Sequence, residues 1–399
     1  MEAINVDIEH FRAELLDNVE NNILNYWIGK MVDPRGGFYG RRDGYDRLDA
    51  DAPKGAILNG RILWSFAAAY RVTRKPEYLE MAQRAKRYII DNFYDGEYGG
   101  IYWSLNADGT PLDTKKQFYA IGFVIYGLSE LVRACGDEEA LDYAKRLFHD
   151  IEQHSRDRER GGYIEACTRE WGEIADMRLS DKDENEKKTM NTHLHIIEPY
   201  TNLYRVWPDA ELREAIVDLL HIFFDVMEDG DNHHLGLFFD ENWVRHDYEQ
   251  SFGHDIEASW LLLEATQALG DNDLIAKALS HTWNIAEAAL QGRCHDGSMV
   301  YERHGNGSYD NDKHWWVQAE QVVGLAYLYK FHGYDKALGM AVETWEYIKG
   351  NLVDREGGEW YWSRKADGSI NRDDDKAGFW KCPYHNSRMC LETYAVLGE

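Results

Sequence analysis

GGIYWS at residues 99–104 is one copy of a pattern that recurs as GGFYGR at 36–41, GGYIEA at 161–166 and GGEWYW at 357–362. The first two steps are 63 and 62 residues, and the last gap of 196 has room for three such steps. Two degenerate copies fall inside it, HLGLFFDE around Gly236 and DGSMVYER around Gly297. A fixed period of this kind marks a repeat architecture. Six units of about 65 residues then account for nearly the whole chain.

Each unit has one internal order. First comes an amphipathic stretch with apolar residues at i, i+3, i+4 and i+7, such as PEYLEMAQRAKRYIIDNFYD at 76–95 or DAELREAIVDLLHIFFDVMED at 209–229. Pro76 suits a first helical turn. The glycines and a short aromatic alternation follow, often with a turn such as Asn106-Ala107-Asp108-Gly109, and predict a small hairpin. The unit ends in a stretch that is apolar all round: 56–70, 117–131, 192–206, 255–269, 315–329 and 386–397. A helix apolar on most faces is a buried one. Six solvent-facing and six buried helices predict two concentric rings, an all-α (α/α)6 barrel with short β-hairpins at one mouth. One domain over 1–399 is expected. An open array of helix pairs would need polar capping units at its ends, and neither terminal unit has that character.

Composition narrows the function. The net charge of -27 disfavours nucleic acid and anionic membrane surfaces as partners. No run of about 18 apolar residues is evident, and the opening MEAINVDIEHFRAELLDN lacks the pattern of a signal peptide. Five scattered cysteines give neither a metal-finger spacing nor a disulfide framework, so a cytoplasmic protein with reduced thiols is expected. The 14 Trp and 25 Tyr fill a large core or line a sugar-binding cleft, where flat rings offer apolar faces and polar tips.

Polar residues gather at the starts of the buried helices: Asn59 and Arg61; Tyr119; Asn191, His193 and His195; His254, Asp255 and Glu257; His314, Trp315, Trp316 and Glu320; Trp380, Tyr384, His385, Asn386 and Arg388. In a closed ring these starts surround a single pocket. A lone histidine is usually a surface or packed residue; several at equivalent places in different repeats are harder to dismiss. Asn191 and His195 share a helix face, which leaves His193 for packing. His254 and Glu257 share a face at i, i+3, so the carboxylate is expected to orient the imidazole, with Asp255 turned elsewhere. His385 and Arg388 share a face as well. The charged, aperiodic segment 173–190 reads as a solvated connection or as a flap over the pocket, with Asp183 a candidate contact.

These residues bear on several chemistries. A metal site is geometrically conceivable, but no H-E-x-x-H pattern supports one. Glycoside hydrolysis wants two acids flanking the bond, and histidines outnumber the carboxylates Glu257, Glu320 and Asp255 in the inferred pocket. No nicotinamide or P-loop fingerprint is present, so no cofactor is expected. Two histidines facing a sugar suit proton abstraction beside a carbonyl, since imidazole titrates near neutrality. The enediolate so formed needs donors such as Arg61, Asn191 and His195.

The segments GAILNGRILWSFAAAY, GGIYWSLNADGTPLDTKKQFYAIGFVIYGLSE, KTMNTHLHIIEPYTNLYRVWP, SFGHDIEASWLLLEA, KHWWVQAEQVVG, GGEWYW and FWKCPYHNSRMCLE together resemble the N-acylglucosamine 2-epimerase superfamily, and within it the branch that acts on cellobiose. The resemblance implies an (α/α)6 barrel and cofactor-independent 2-epimerisation of the reducing-end glucose of β-1,4-linked disaccharides, cellobiose or lactose; a monomer is expected. It matches His254 and His385 to two catalytic acid/base histidines. His195, Arg61, Asn191, Tyr119 and Glu257 match groups around the reducing sugar, and Trp316 and Trp380 match rings that hold the sugars. Asp183 and Glu320 complete the expected substrate contacts. The same enediolate protonated at carbon 1 would make an aldose–ketose isomerase. An N-acylglucosamine epimerase, a hydrolase and a non-catalytic sugar-binding protein are the other readings.

Overall fold

The computed structural model describes residues 6–246 and 248–398. Met1–Asn5, the beginning of the segment read for a signal peptide, lie outside them. Among the described residues are twelve α-helices: α1 (Ile8–Asp17), α2 (Ala56–Thr73), α3 (Pro76–Tyr88), α4 (Phe118–Cys135), α5 (Glu138–His154), α6 (Met190–Tyr204), α7 (Ala210–Ile222), α8 (Phe252–Leu269), α9 (Asn272–Ala289), α10 (Trp315–His332), α11 (Lys336–Asn351) and α12 (Tyr384–Val396).

The even-numbered helices form the inner ring. Each packs on the next, α2 on α4 and so on to α12, and α12 returns to α2. Each outer helix packs on the inner helix of the preceding unit: α3 on α2, α5 on α4, and finally α1 on α12. The chain's first helix therefore seats on its last, and the barrel closes. Close approach within the ring has a sequence cause at Gly122. A Cβ there would lie 2.3 Å from the carbonyl oxygen of His195, so only glycine lets α4 come this near α6. The five cysteines are unpaired.

Helix α4 corrects the expectation that nothing is long and apolar enough for a membrane. Its mean hydropathy is 1.4 over 18 residues, but 83% of that stretch is buried, between α2 and α6. An inner-ring helix surrounded by other helices meets the same composition test as a membrane span.

The hairpins also differ from expectation. Local ones exist, as where Ser104–Leu105 pair with Pro111–Asp113 across the Asn106–Gly109 turn. The more regular pairing joins neighbouring units: the two residues before an inner helix pair with the strand of the next glycine motif. Lys54–Gly55 pair with Ser104–Leu105, Lys116–Gln117 with Ala166–Cys167, Lys188–Thr189 with Phe238–Phe239, Gln250–Ser251 with Glu302–Arg303, and Lys313–His314 with Ser363–Arg364. A bridge between Arg42 and Ala377 links the last unit to the first. A discontinuous β girdle thus runs around the mouth and fixes where each inner helix begins.

Buried ion pairs pin that girdle. Lys54, Lys116 and Lys188 each donate to an aspartate of their own unit (Asp33, Asp95 and Asp157, at 2.7–3.0 Å) and to the carbonyl of Gly36, Gly99 or Gly161. Lys376 pairs with Asp354 in the last unit. A charge removed from water is tolerable only when paired and hydrogen-bonded in this way.

Candidate active site

Because every inner helix starts at the girdle, its first turns converge on one cavity of about 420 Å3. Arg61, Tyr119, Asn191, His195, His254, Glu257, Trp316, Trp380 and His385 line it, with Asp183 reaching in from the connection between Glu173 and Lys187. That connection covers the mouth as a flap. Its Met177 and Arg178 carbonyls accept from Gln117 Nε2 at 3.0 Å, and Asp183 accepts from the Ser180 amide and hydroxyl at 2.8 Å. A second lobe of about 400 Å3 continues beneath it, sharing Leu179, Lys182, Asp183, Asn191, His254 and Tyr301 with the first.

The floor is a network centred on Arg388, which is fully buried. Its guanidinium donates to Glu198, Tyr384, Glu257 and Glu320, and the Tyr384 hydroxyl donates to Glu198 in turn. From this floor two carboxylates reach histidines. Glu320 Oε1 lies 2.7 Å from His385 Nδ1, and Glu198 Oε2 lies 2.8 Å from His195 Nδ1. A carboxylate that only accepts places the proton on Nδ1 and leaves Nε2 to the cavity. His254 is held by a hydroxyl instead, with Ser251 Oγ 2.7 Å from its Nδ1.

Burial shapes the protonation of the group. Desolvation, assisted by the nearby His195, pushes His254 down to about 3. His385 is also driven well below the ordinary imidazole value, by burial first and then by the cations Arg61 and Arg388. His195 shifts the same way through burial, although Glu198 opposes it. Near neutral pH all three rings are therefore uncharged. Burial and the neighbouring Glu320 raise the Glu257 carboxyl well above the carboxylate range, although Arg388 opposes the shift, and its Oε2 is without a partner. Burial would raise Glu198 too, but the Arg388 charge outweighs it and holds that group low.

Arg61 sits in an aromatic box at the side of the cavity. Its guanidinium lies 4.1 Å from the Phe123 ring and 4.8 Å from Tyr384, and it donates to the Tyr119 hydroxyl at 2.8 Å. Trp316 stands 4.8 Å from His254 and 5.6 Å from His385, covering both imidazoles, and Trp380 faces Tyr119 at 6.3 Å. Asn191 contributes an unpartnered carbonyl oxygen.

Two expectations require correction. Glu320 is not part of the lining: its oxygens are taken by His385, Arg388 and the Trp260 indole, so it steadies His385 from behind. Glu257 does not orient His254; it turns to Arg388, two inner helices further along the chain, and Ser251 holds the imidazole. His193 is buried packing, accepting from the Tyr163 amide at 2.9 Å. Asp255 turns from the cavity to His234 and the Leu235 amide. Glu198, Tyr301 and Trp362 also bear on the site, and their sequence contexts do not mark them. A repeat alignment could have found two of them: Tyr301 and Trp362 fall two residues beyond the bridged Met299 and Trp360, where Trp103 falls beyond Ile101.

Two groups of ligand-type atoms, His195 with Glu198 and Glu257, and Glu257 with Glu320 and His385, are compact enough to hold an ion. Arg388 already stands among their three carboxylates and supplies the countercharge there.

Neutral imidazoles facing one cavity, a fixed guanidinium and tryptophan walls define an (α/α)6-barrel protein equipped for acid–base work on a polar ring-shaped ligand. The model of the N-acylglucosamine 2-epimerase (GlcNAc 2-epimerase) family matches residues 37–388, and the chain belongs to that family. A cellobiose 2-epimerase of Bacteroides fragilis is 58% identical over 98% of this chain and 100% of its own. The solved cellobiose 2-epimerase of Spirochaeta thermophila superposes with a TM-score of 0.94 at 38% identity, over 100% of this chain and 99% of that one. That of Bacillus thermoamylovorans gives 0.93 at 40% identity, over 97% and 99%.

Proposed function

We propose that the protein is a carbohydrate 2-epimerase that converts the reducing-end glucose of a β-1,4-linked disaccharide, such as cellobiose or lactose, into mannose. The observation that carries this reading is the pair His254 and His385, which line one cavity beside Trp316, each with its Nδ1 held by a neighbouring side chain. The relatives named cellobiose 2-epimerase support the choice of substrate.

In this scheme the opened aldose presents an acidic proton at carbon 2. One histidine removes it, and the electrons pass toward oxygen 1 to give an enediolate. Arg61 donates to the developing charge, where fixed donors in a water-poor site act most strongly, and His195 lines the same cavity. Rotation about the carbon 2–carbon 3 bond presents the other face, and a protonated histidine returns a proton there. His254 and His385 share this acid–base work. Glu320 and Glu198 orient His385 and His195, while Trp316, Trp380, Tyr119, Asn191, Glu257 and Asp183 hold the sugars. No cofactor enters the scheme.

Incubation with cellobiose in deuterated buffer containing EDTA is expected to give glucosyl-mannose carrying deuterium at carbon 2. A ketose product would instead assign the isomerase reading, and free glucose the hydrolase. Binding without exchange would leave only a sugar-binding role.

A further inference from the structure

Ser251 occupies the N-cap of α8 with extended backbone, yet its side chain makes no capping bond to the helix. A serine there ordinarily accepts from an amide two or three residues on. Thr189, at the same place before α6, does so toward the Thr192 amide at 3.1 Å. The Ser251 hydroxyl goes instead to His254 Nδ1, at 2.7 Å. Its main chain is already fastened opposite Glu302 in the β girdle, and the residue is buried. So the rigid element that starts α8 also aims the imidazole one turn further on.

The three cavity imidazoles are held differently. Carboxylates hold Nδ1 of His385 and His195, which favours the ring that carries a second proton. A hydroxyl can accept or donate and brings no charge. The titratable and charged groups lining the first lobe with His254 are Arg61 of α2, Tyr119 of α4, His195 of α6, Glu257 of its own helix, His314 just before α10, His385 of α12, Tyr301 and Asp374 of the rim, and Asp181, Lys182 and Asp183 of the flap, with Glu320 of α10 behind them; the second lobe adds Glu165, Arg178, Glu184, Glu186, Glu249, Glu302, His304 and Asp310. Among the described residues, the hydroxyl of Ser251, and no carboxylate, contacts its Nδ1.

Resting on the epimerase reading, we infer that Ser251 is a positioning residue for His254: its hydroxyl orients the ring so that Nε2 meets the sugar, and its neutrality keeps that ring uncharged for proton transfer.

The test compares the full-length protein with Ser251→Ala, Ser251→Thr and Ser251→Asp, measuring kcat and KM on cellobiose across the acid and neutral range. Ser251→Ala is expected to lower kcat about 10- to 100-fold with KM changed less than about twofold, because the ring is less well aimed while sugar contacts remain. Ser251→Thr keeps the hydroxyl and is expected to recover most of the rate. Ser251→Asp supplies the missing carboxylate, and the acid limb of its pH–rate profile is expected to move up by about one unit or more. Nitrogen-15 NMR of the His254 ring gives a readout independent of turnover, and Ser251→Ala is expected to alter its tautomer signal. Wild-type kcat in Ser251→Ala, equal damage in the Ala and Thr variants, or an unmoved acid limb in Ser251→Asp would each overturn the inference. A wild-type protein that fails to epimerise cellobiose would instead remove the reading on which it rests.

Discussion

His254 and His385 differ in their supports, and the difference makes their roles separable by mutation. Replacing either with alanine is expected to lower epimerisation about 100- to 10,000-fold, the worth of one general acid–base group, with the fold intact by circular dichroism. Glu320→Gln is a milder change. It keeps the shape but offers His385 a neutral partner, so kcat should fall more than KM rises in steady-state measurements. The pH dependence follows from burial. A base works when neutral, and the low value of His254 and the depressed one of His385 keep them neutral below the usual imidazole range. The acid limb of the wild-type pH–rate profile is accordingly expected below about 6.5, the ordinary imidazole value. At this scale the sequence was most informative about residue type. Both histidines were legible from their places in the repeat, and so was the shared face of Asn191 and His195. The partners of those residues were not. Ser251 and Glu257 both lie within one helical turn of His254, and only the packed structure shows that the serine holds the ring while the carboxylate turns to Arg388.

The recurring element is an outer helix, a glycine turn, a buried lysine and an inner helix. Lys116 shows how firmly it is pinned: it and Asp95 are both fully buried and 3.0 Å apart. Lys116→Met would strip a buried carboxylate of one of its two cations, Arg169 being the other. A loss of about 3 kcal/mol is expected from urea unfolding, the scale for breaking a buried pair from one side. The glycine pairs themselves announce the period. Their local hairpins were legible as well, because turn chemistry acts over four or five residues. The pairing between units was not, since nothing in Lys116–Gln117 names Ala166–Cys167 as its partner. Strand pairing of two residues is chosen by where the helices deliver the ends.

The molecule as a whole is two rings closed by α1 seating on α12 and by the Arg42–Ala377 bridge. Its buried histidines make the closed state sensitive to acid. His193 and His314 are lowered by burial to about 4, and His254 to about 3. The unfolded chain takes up these protons near 6.5, whereas the folded one does so only at the lower values. Between those limits the unfolded state binds more protons, so stability must fall as pH falls. Melting temperatures measured across that window are expected to drop steadily toward acid, and a variant lacking His193 should show a shallower slope. The sequence by itself determined the six-unit period, the alternation of amphipathic and apolar helices, and hence a closed α/α barrel with its polar residues at one mouth. Those features depend on periodicity, which is local and survives in a one-dimensional string. Only the tertiary structure decided that Arg388 binds three carboxylates from α6, α8 and α10, that Glu320 serves His385 rather than the cavity, and that a serine holds His254. Such contacts join residues as many as 190 positions apart, and a hydrogen bond is set by distance and angle in space, which spacing along the chain does not encode.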